Sequence, residues 1–228
     1  MPVLEIKNLD VSFSTRFGKH EAVKNFSCTL EAGEIHGLVG ESGAGKSTIG
    51  SAVLGILPES AQITRGSILL NGREISGLDN RAYHRLRGAE ISMILQDPQT
   101  SLNPLLTIEN HLVETIMQHQ DLSEDEALKL AVGYLQQVGI PEPEQRIKQY
   151  PHQFSGGMRQ RVVIALALCS RPSLIIADEP TTALDVAIQK QILSLIRNLA
   201  REQEVAVLLI THDMGVIAET TNTISILR

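Results

Sequence analysis

The sequence predicts an α/β fold in which a mostly parallel sheet is covered by helices on both faces. Two observations predict it: short continuous apolar segments, such as Ile35 to Val39, alternate with helical patterns, and the middle of the chain is helical throughout. A chain of 228 residues suffices for one large domain with its own buried core. We therefore expect a sheet domain with a helical insertion.

The first third of the chain begins with strands that alternate apolar and polar residues. The pattern from Leu4 to Phe13 predicts a strand with one irregularity, and the pattern from Phe26 to Leu30 predicts a second strand. The later elements expected here are a strand at Ile35 to Val39, a helix from Gly45 to Ile56, a short strand at Ile68 to Leu70 that ends at the turn pair Asn71-Gly72, and a strand at Ile91 to Leu95.

The middle of the chain has a helical signal from Ile108 to Val138. Ser123 and Glu126 form an S-x-x-E capping box, and Gly139 stands where a helix is expected to stop. The segment from Pro141 to Pro151 is polar and interrupted by proline. It therefore predicts a loop with at most a short helix.

The last third returns to alternating strands and helices. In order, we expect a buried helical segment from Val162 to Cys169, a strand from Leu174 to Ala177, an amphipathic helix from Val186 to Arg201, and a strand from Val205 to Ile210.

Composition excludes several classes of protein. The net charge of −6, from 20 Lys and Arg against 26 Asp and Glu, argues against nucleic acid as a partner. The two cysteines, Cys28 and Cys169, cannot build a disulfide scaffold or a zinc cluster, and this is typical of a reducing compartment. The longest apolar run is far shorter than the roughly 20 residues that cross a bilayer, and no signal peptide is visible. We expect a protein that is cytoplasmic or lies on a membrane surface.

The first chemical motif is the phosphate-binding pattern G-x-x-x-x-G-K-[ST] from Gly40 to Ser47. Glycines let backbone N–H groups surround phosphate oxygens, Lys46 neutralises the β- and γ-phosphates, and the Ser47 hydroxyl ligates Mg²⁺. The alternative is a chance glycine-rich loop, but a strand precedes the motif and a helix follows it. The expected nucleotide-binding residues here are Gly40, Glu41, Ser42, Gly43, Ala44, Gly45, Lys46, Ser47 and Thr48.

The second motif is the apolar strand that ends at Asp178 and Glu179. Asp178 can hold Mg²⁺, and Glu179 can deprotonate an attacking water. The alternative is a solvated acidic turn at the end of a strand.

A third motif, Ser155-Gly156-Gly157, stands at a helix start and offers a second anion site. Its alternative is an ordinary glycine turn.

With these motifs in order, the chain resembles an ATP-binding cassette (ABC) ATPase from Leu4 to about Glu219. Ser155 to Arg159 resembles the signature motif. Phe154, directly before it, and Met158, within it, stand where the family often has Leu and Gln. Gln96 resembles the Q-loop glutamine, and His212 the switch histidine. Ala183-Leu184-Asp185 resembles the D-loop.

The resemblance implies a set of site residues beyond the phosphate loop. It implies catalytic roles for Glu179, Gln96 and His212, Mg²⁺ ligation by Ser47, Gln96 and Asp178, and nucleotide binding by Ser155, Gly156, Gly157 and Asp185. An ordinary polar strand end remains the alternative for Gln96, and a structural role for His212. The adenine-stacking aromatic is expected at Phe17, with Phe13 as the competing position.

The subfamily resemblance is to importers of oligopeptides, dipeptides and nickel, through the segments 96–104, 150–161 and 177–185. It implies ATP and Mg²⁺ as cofactors, membrane permease subunits and a second ATPase subunit, identical or different, as partners, and a solute-binding protein as an indirect partner. The implied location is peripheral, on the cytoplasmic side of the inner membrane. A soluble ABC ATPase without a permease is the alternative.

The fold expected from the resemblance is a P-loop ATPase core of the α/β class with an N-terminal antiparallel β region and an inserted helical subdomain. The resemblance also implies a division of the chain. Residues 1–228 form one ABC nucleotide-binding domain, with a catalytic core at 1–96 and 159–228 and a helical subdomain at 97–158. The segment from Thr220 to Arg228 stands where the family continues. We therefore expect the last sheet strands and a C-terminal extension to be missing, which leaves it open whether this form is fully active.

Overall fold

The computed structural model of the protein describes residues 1–16, 18–182 and 184–227. The strands are β1 (Leu4–Thr15), β2 (Gly18–Leu30), β3 (Ile35–Gly40), β4 (Ala61–Leu70), β5 (Arg73–Glu74), β6 (Ile91–Ile94), β7 (Leu174–Asp178), β8 (Ala206–Thr211) and β9 (Thr223–Leu227). The helices are α1 (Lys46–Leu54), α2 (Asn80–Leu86), α3 (Pro98–Ser101), α4 (Ile108–His119), α5 (Glu124–Gln137), α6 (Pro143–Arg146), α7 (Gly156–Cys169), α8 (Val186–Glu202) and α9 (Met214–Thr220), with a 3₁₀ turn at Pro151–Gln153.

An antiparallel sheet with the order β2-β1-β4-β5 comes from the first third of the chain. Two of its strands are longer than predicted, since β2 begins at Gly18 and β4 at Ala61. The prediction of one irregularity in β1 is wrong, because its register against β2 shifts at three points. At one of them Asn8 adopts φ 46°. A Cβ at the neighbouring Gly66 would collide with the Asn8 carbonyl, so the bulge needs glycine there.

The second sheet is parallel and has the order β6-β7-β8-β3-β9. Alternate residues of its strands face opposite sides, as the two-residue period requires. In β8, Val207 and Leu209 pack into a core shared with the helices α4, α5, α7 and α8. Leu208 and Ile210 pack into a second core with α1 and the antiparallel sheet. The predicted α/β class, with an antiparallel region and an inserted helical segment, is confirmed.

The helical signal in the middle of the chain divides into α4 and α5. Glu126 accepts hydrogen bonds from the backbone N–H (2.9 Å) and the hydroxyl (2.6 Å) of Ser123, which confirms the capping interaction. Gly139 has φ 77°, as expected for a residue that ends a helix. α7 runs without a break across the predicted subdomain boundary at 158, so the division into core and helical subdomain remains a proposal.

The tail of the chain differs from expectation. The expectation that the last sheet strands are missing is wrong for one strand, because Thr223–Leu227 form β9 in parallel register with β3. His36 secures this pairing: its Nδ1 lies 2.8 Å from Oγ1 of Thr223 and its Nε2 lies 2.9 Å from Oγ of Ser225. β9 thereby becomes part of the sheet that carries the phosphate loop.

Within residues 1–16, 18–182 and 184–227, none of the helices combines the length and the apolar composition that crossing a bilayer requires.

Candidate nucleotide-binding site

The phosphate loop connects the end of β3 to the start of α1. Gly43 and Gly45 have φ values of 86° and 88°, a region that favours glycine. A Cβ at Gly45 would also collide with the carbonyl oxygen of Ala22 in β2. The loop therefore lies tightly against the antiparallel sheet, and its backbone encloses a cradle at the N-terminus of α1.

Lys46 supplies the positive charge of this cradle. Its side chain is buried, and Nζ donates hydrogen bonds of 2.8 Å to the carbonyl oxygens of both Gly40 and Glu41. Both acceptors are neutral, so the ammonium group keeps its charge for an anion held by the loop. This is the arrangement that a phosphate group requires.

Ser47 and Asp178 come together where α1 begins and β7 ends. The Ser47 hydroxyl donates to Oδ1 of Asp178 over 3.3 Å. Burial raises the pKa of Asp178, while the hydrogen bond from Ser47 and the charge of Lys46 act in the opposite direction. A bound cation would offset the cost of burying this carboxylate. The hydroxyl, the carboxylate and the nearby amide of Gln96 are oxygen donors of the kind that Mg²⁺ prefers, so these residues fit the metal.

Glu179 follows directly and is held by side chains from three segments. Oε1 accepts from Nδ1 of His212 at 2.9 Å, and Oε2 accepts from Nε2 of Gln96 at 3.2 Å and from the Thr182 hydroxyl at 2.9 Å. Burial alone would raise the pKa of Glu179. The hydrogen bonds from His212 and Thr182, together with the charges of His212 and Lys46, outweigh it and hold the pKa below its ordinary value. A lowered pKa favours the ionised carboxylate, which is the form that a base needs.

These groups line one cleft of about 1270 Å³ at the carboxyl ends of the parallel strands. Of the predicted residues, it brings together Gly40, Glu41, Ser42, Gly43, Gly45, Lys46, Ser47, Thr48, Gln96, Asp178, Glu179 and His212. Ala44 is in the loop but does not line the cleft. The prediction for Phe17 lies outside the described residues, as does the D-loop residue Ala183.

The signature residues do not line this cleft. Ser155 caps α7, since its hydroxyl accepts from the N–H of Met158 at 3.3 Å. A Cβ at Gly157 would come within 2.7 Å of Ile188 in α8, so the glycine permits close packing of the two helices. Asp185 caps α8 by accepting from the N–H groups of Ala187 (3.1 Å) and Ile188 (3.0 Å). Ser155, Gly157 and Asp185 therefore lie at the adjoining ends of α7 and α8, outside this cleft.

Several residues of the cleft were not predicted from the sequence. They are Val39, Thr182, Met214, Ile226 and Leu227. The β-branched pattern of Ile224 to Leu227 was the available signal for β9, but it does not reveal which strand β9 joins. In the structure a Cβ at Gly40 would come within 2.6 Å of the Leu227 carbonyl, so β9 forms a wall of the phosphate loop.

The parallel sheet, the glycine-rich cradle and the acidic end of β7 define the class of the protein as a P-loop nucleotide-binding domain. The chain belongs to the ABC transporter family, whose profile matches residues 23–182. Its fold agrees with this: the dimeric ATP-binding cassette MJ0796, solved bound to ADP and Pi in a post-hydrolysis state, superposes with a TM-score of 0.84 at 29% identity, covering 99% of this chain and 94% of that one.

Two relatives show the similarity in sequence. The chain is 49% identical over 226 residues to the dipeptide transport ATP-binding protein DppD of Bacillus subtilis, covering 99% of this chain and 68% of the relative. It is 50% identical over 216 residues to the oligopeptide transport ATP-binding protein OppD of Salmonella typhimurium, covering 95% and 64%. The chain thus spans about two thirds of the length of these relatives.

Proposed function

We propose that the chain is the ATP-binding subunit of an importer, in which ATP hydrolysis at a dimer interface drives uptake of peptides or a related small solute through a membrane permease. The observation that carries the proposal is the Glu179 carboxylate, which His212, Gln96 and Thr182 hold in the same cleft as the phosphate cradle. DppD and OppD, the relatives described above, are named for dipeptide and oligopeptide transport. Peptides are therefore the class of transported solute that we propose for this chain.

In the proposed reaction the chain's own residues act in sequence. The loop backbone and Lys46 bind the β- and γ-phosphates of ATP and fix the γ-phosphate at the mouth of the cleft. Ser47, Asp178 and Gln96 would hold Mg²⁺, which would neutralise charge on the phosphate oxygens. Glu179 accepts a proton from the attacking water, and its Oε1 is hydrogen-bonded to Nδ1 of His212.

The dimer is supported by the separation of the signature from the cleft. Since Ser155, Gly156 and Gly157 lie outside the cleft of their own subunit, they are available to a nucleotide bound by another. Gly156 and Gly157 are partly exposed at the start of α7, so their N–H groups can meet an anion. The second subunit is a copy of this chain or a different ATPase subunit. Asp185 would lie beside the same interface.

Permease docking is supported by apolar side chains that the helical part of the chain leaves in solvent. Leu105 is 82% exposed in the loop between α3 and α4, and Met117 is 45% exposed on α4. The loop between α3 and α4 follows Gln96 in the chain, so a movement of Gln96 can be passed to this surface. A permease partner gives the subunit a peripheral position on the cytoplasmic side of the inner membrane, with a solute-binding protein as the indirect partner.

The proposal is tested by reconstitution. The chain is expressed with candidate permease subunits and purified, and the complex is placed in liposomes with a solute-binding protein and a labelled tripeptide. We expect uptake that requires ATP and Mg²⁺ and that is lost with Glu179→Gln. ATP hydrolysis without association with any permease would instead indicate a soluble ATPase.

A further inference from the structure

Thr182 makes two contacts with Glu179 within a single turn. Its hydroxyl donates to Oε2 of Glu179 at 2.9 Å, and its backbone N–H donates to the Glu179 carbonyl oxygen at 3.3 Å. The side chain and the main chain therefore close the same turn. Among the described residues of this turn, Thr182 is the one whose side chain bonds to the Glu179 carboxylate.

Glu179 adopts an unusual backbone conformation at the start of this turn. Its φ of 47° lies in the left-handed region, which residues other than glycine seldom occupy. The Glu179 N–H donates to the carbonyl of Ile210 at 2.8 Å and so continues the pairing of β7 with β8. The chain leaves the sheet sharply at this residue, and the contacts of the following turn decide where the carboxylate points.

The other two donors to the carboxylate lie on separate segments. Gln96 follows β6 and leads into α3, and His212 follows β8. Gln96 would hold Mg²⁺ through its amide oxygen, so the position of its Nε2 would depend on the metal as well as on Glu179. Thr182 is fixed to the same turn as Glu179 and does not need to move.

We propose that Thr182 is a positioning residue for ATP hydrolysis, whose hydroxyl holds Oε2 of Glu179 so that the carboxylate keeps facing the attacking water independently of the segments that carry Gln96 and His212. This inference rests on the proposed function, in which Glu179 is the base. Thr182 lines the cleft, but its hydrogen bonds are to Glu179 and not to Lys46, Ser47 or Asp178. Its loss should therefore slow the chemical step and leave ATP binding intact.

The test compares three variants by steady-state ATPase kinetics and ATP affinity. Thr182→Val removes the hydroxyl and keeps the shape, and we expect kcat to fall about tenfold with KM and ATP affinity unchanged within about twofold. Thr182→Ser keeps the hydroxyl, and we expect it to retain kcat within about twofold. The matched control is Thr181→Val, since the neighbouring Thr181 hydroxyl contacts Gln189 at 3.1 Å.

Glu179→Gln is measured alongside, so that a failure of the role of Thr182 can be distinguished from a failure of Glu179 as the base. Loss of turnover in Glu179→Gln with wild-type kcat in Thr182→Val would overturn the role of Thr182 and leave the proposed function standing. An equal loss of kcat in Thr182→Ser and Thr182→Val would also overturn it, because Thr182→Ser keeps the hydroxyl to which the role is assigned. Full turnover in Glu179→Gln would refute the base itself and the inference with it. Thr182→Ala, which adds no bulk, replaces the Val variant if Val lowers the thermal midpoint.

Discussion

The imidazole Nδ1 of His212 lies 2.9 Å from Oε1 of Glu179, although 33 positions separate the two residues in the chain. The contact forms because both residues follow directly after neighbouring parallel strands, β7 and β8, which end at the same edge of the sheet. The His212 side chain is more than half exposed, at 57%, whereas that of Glu179 is 19% exposed. The histidine can therefore move with the contents of the cleft, and the carboxylate is the fixed member of the pair.

Lys46→Ala should weaken ATP binding itself. The Lys46 ammonium group is the cation of the cradle and is bonded to two carbonyl oxygens of the loop. Losing its charge-assisted contact with a phosphate costs about 1.5–3 kcal/mol, roughly a tenfold to hundredfold loss of ATP affinity. Titration with a fluorescent ATP analogue measures the effect. Lys190→Ala, an exposed lysine on α8, is the matched control and should bind as the wild type does. An affinity of Lys46→Ala within twofold of the wild type would show that the loop is not the phosphate site.

Ser155→Arg should leave ATP binding by the monomer intact and prevent ATP-dependent dimers. The large cation would stand where the second subunit presents its nucleotide, while the cleft of the same subunit lies elsewhere. Ser123→Arg is the control, because Ser123 stands at the start of α5 and a capping interaction is lost there too. Size-exclusion chromatography with ATP distinguishes the two. If monomer affinity fell as far as in Lys46→Ala, the signature would belong to its own cleft.

Stability should depend on pH through His36. Burial lowers the pKa of His36 below its ordinary value of 6.5, and the charge of Glu34 opposes this only in part. The unfolded chain then takes up the proton more readily, so the stabilisation is complete above about pH 6.5 and is lost as pH falls below it. We expect the urea midpoint to decrease from about pH 7.5 to about pH 5.5.

His36→Gln should flatten that decrease, and His84→Gln, a change at an exposed histidine on α2, should not. Because His36 bonds to Thr223 and Ser225, the acid-sensitive element is β9. An equally steep decrease in His36→Gln would assign the pH dependence to another group.

The sequence predicts the site better than it predicts the surroundings of the site. Gly40 was found from the phosphate-loop pattern, Asp178 from the apolar strand that ends in two carboxylates, and His212 from the order of the family motifs. Parallel strands bring these three positions to one edge of the sheet. Thr182 was missed, since its role depends on a backbone angle at Glu179 that no residue pattern reveals. β9 was missed because its apolar residues are half exposed, with Ile226 at 58%, and its partner β3 lies far away in the chain. Pairing between distant segments is decided by packing, which the local pattern does not contain.

The central claim is that Glu179 is the base for ATP hydrolysis, and Glu179→Gln tests it most directly. The amide cannot accept the proton from water, while the cradle, Lys46 and Asp178 remain in place. Phosphate release and ATP-dependent dimerisation are measured on the same protein beside the wild type. The account predicts that turnover is abolished, that ATP affinity is retained, and that ATP holds the dimer closed. Phosphate release at the wild-type rate from Glu179→Gln would contradict it.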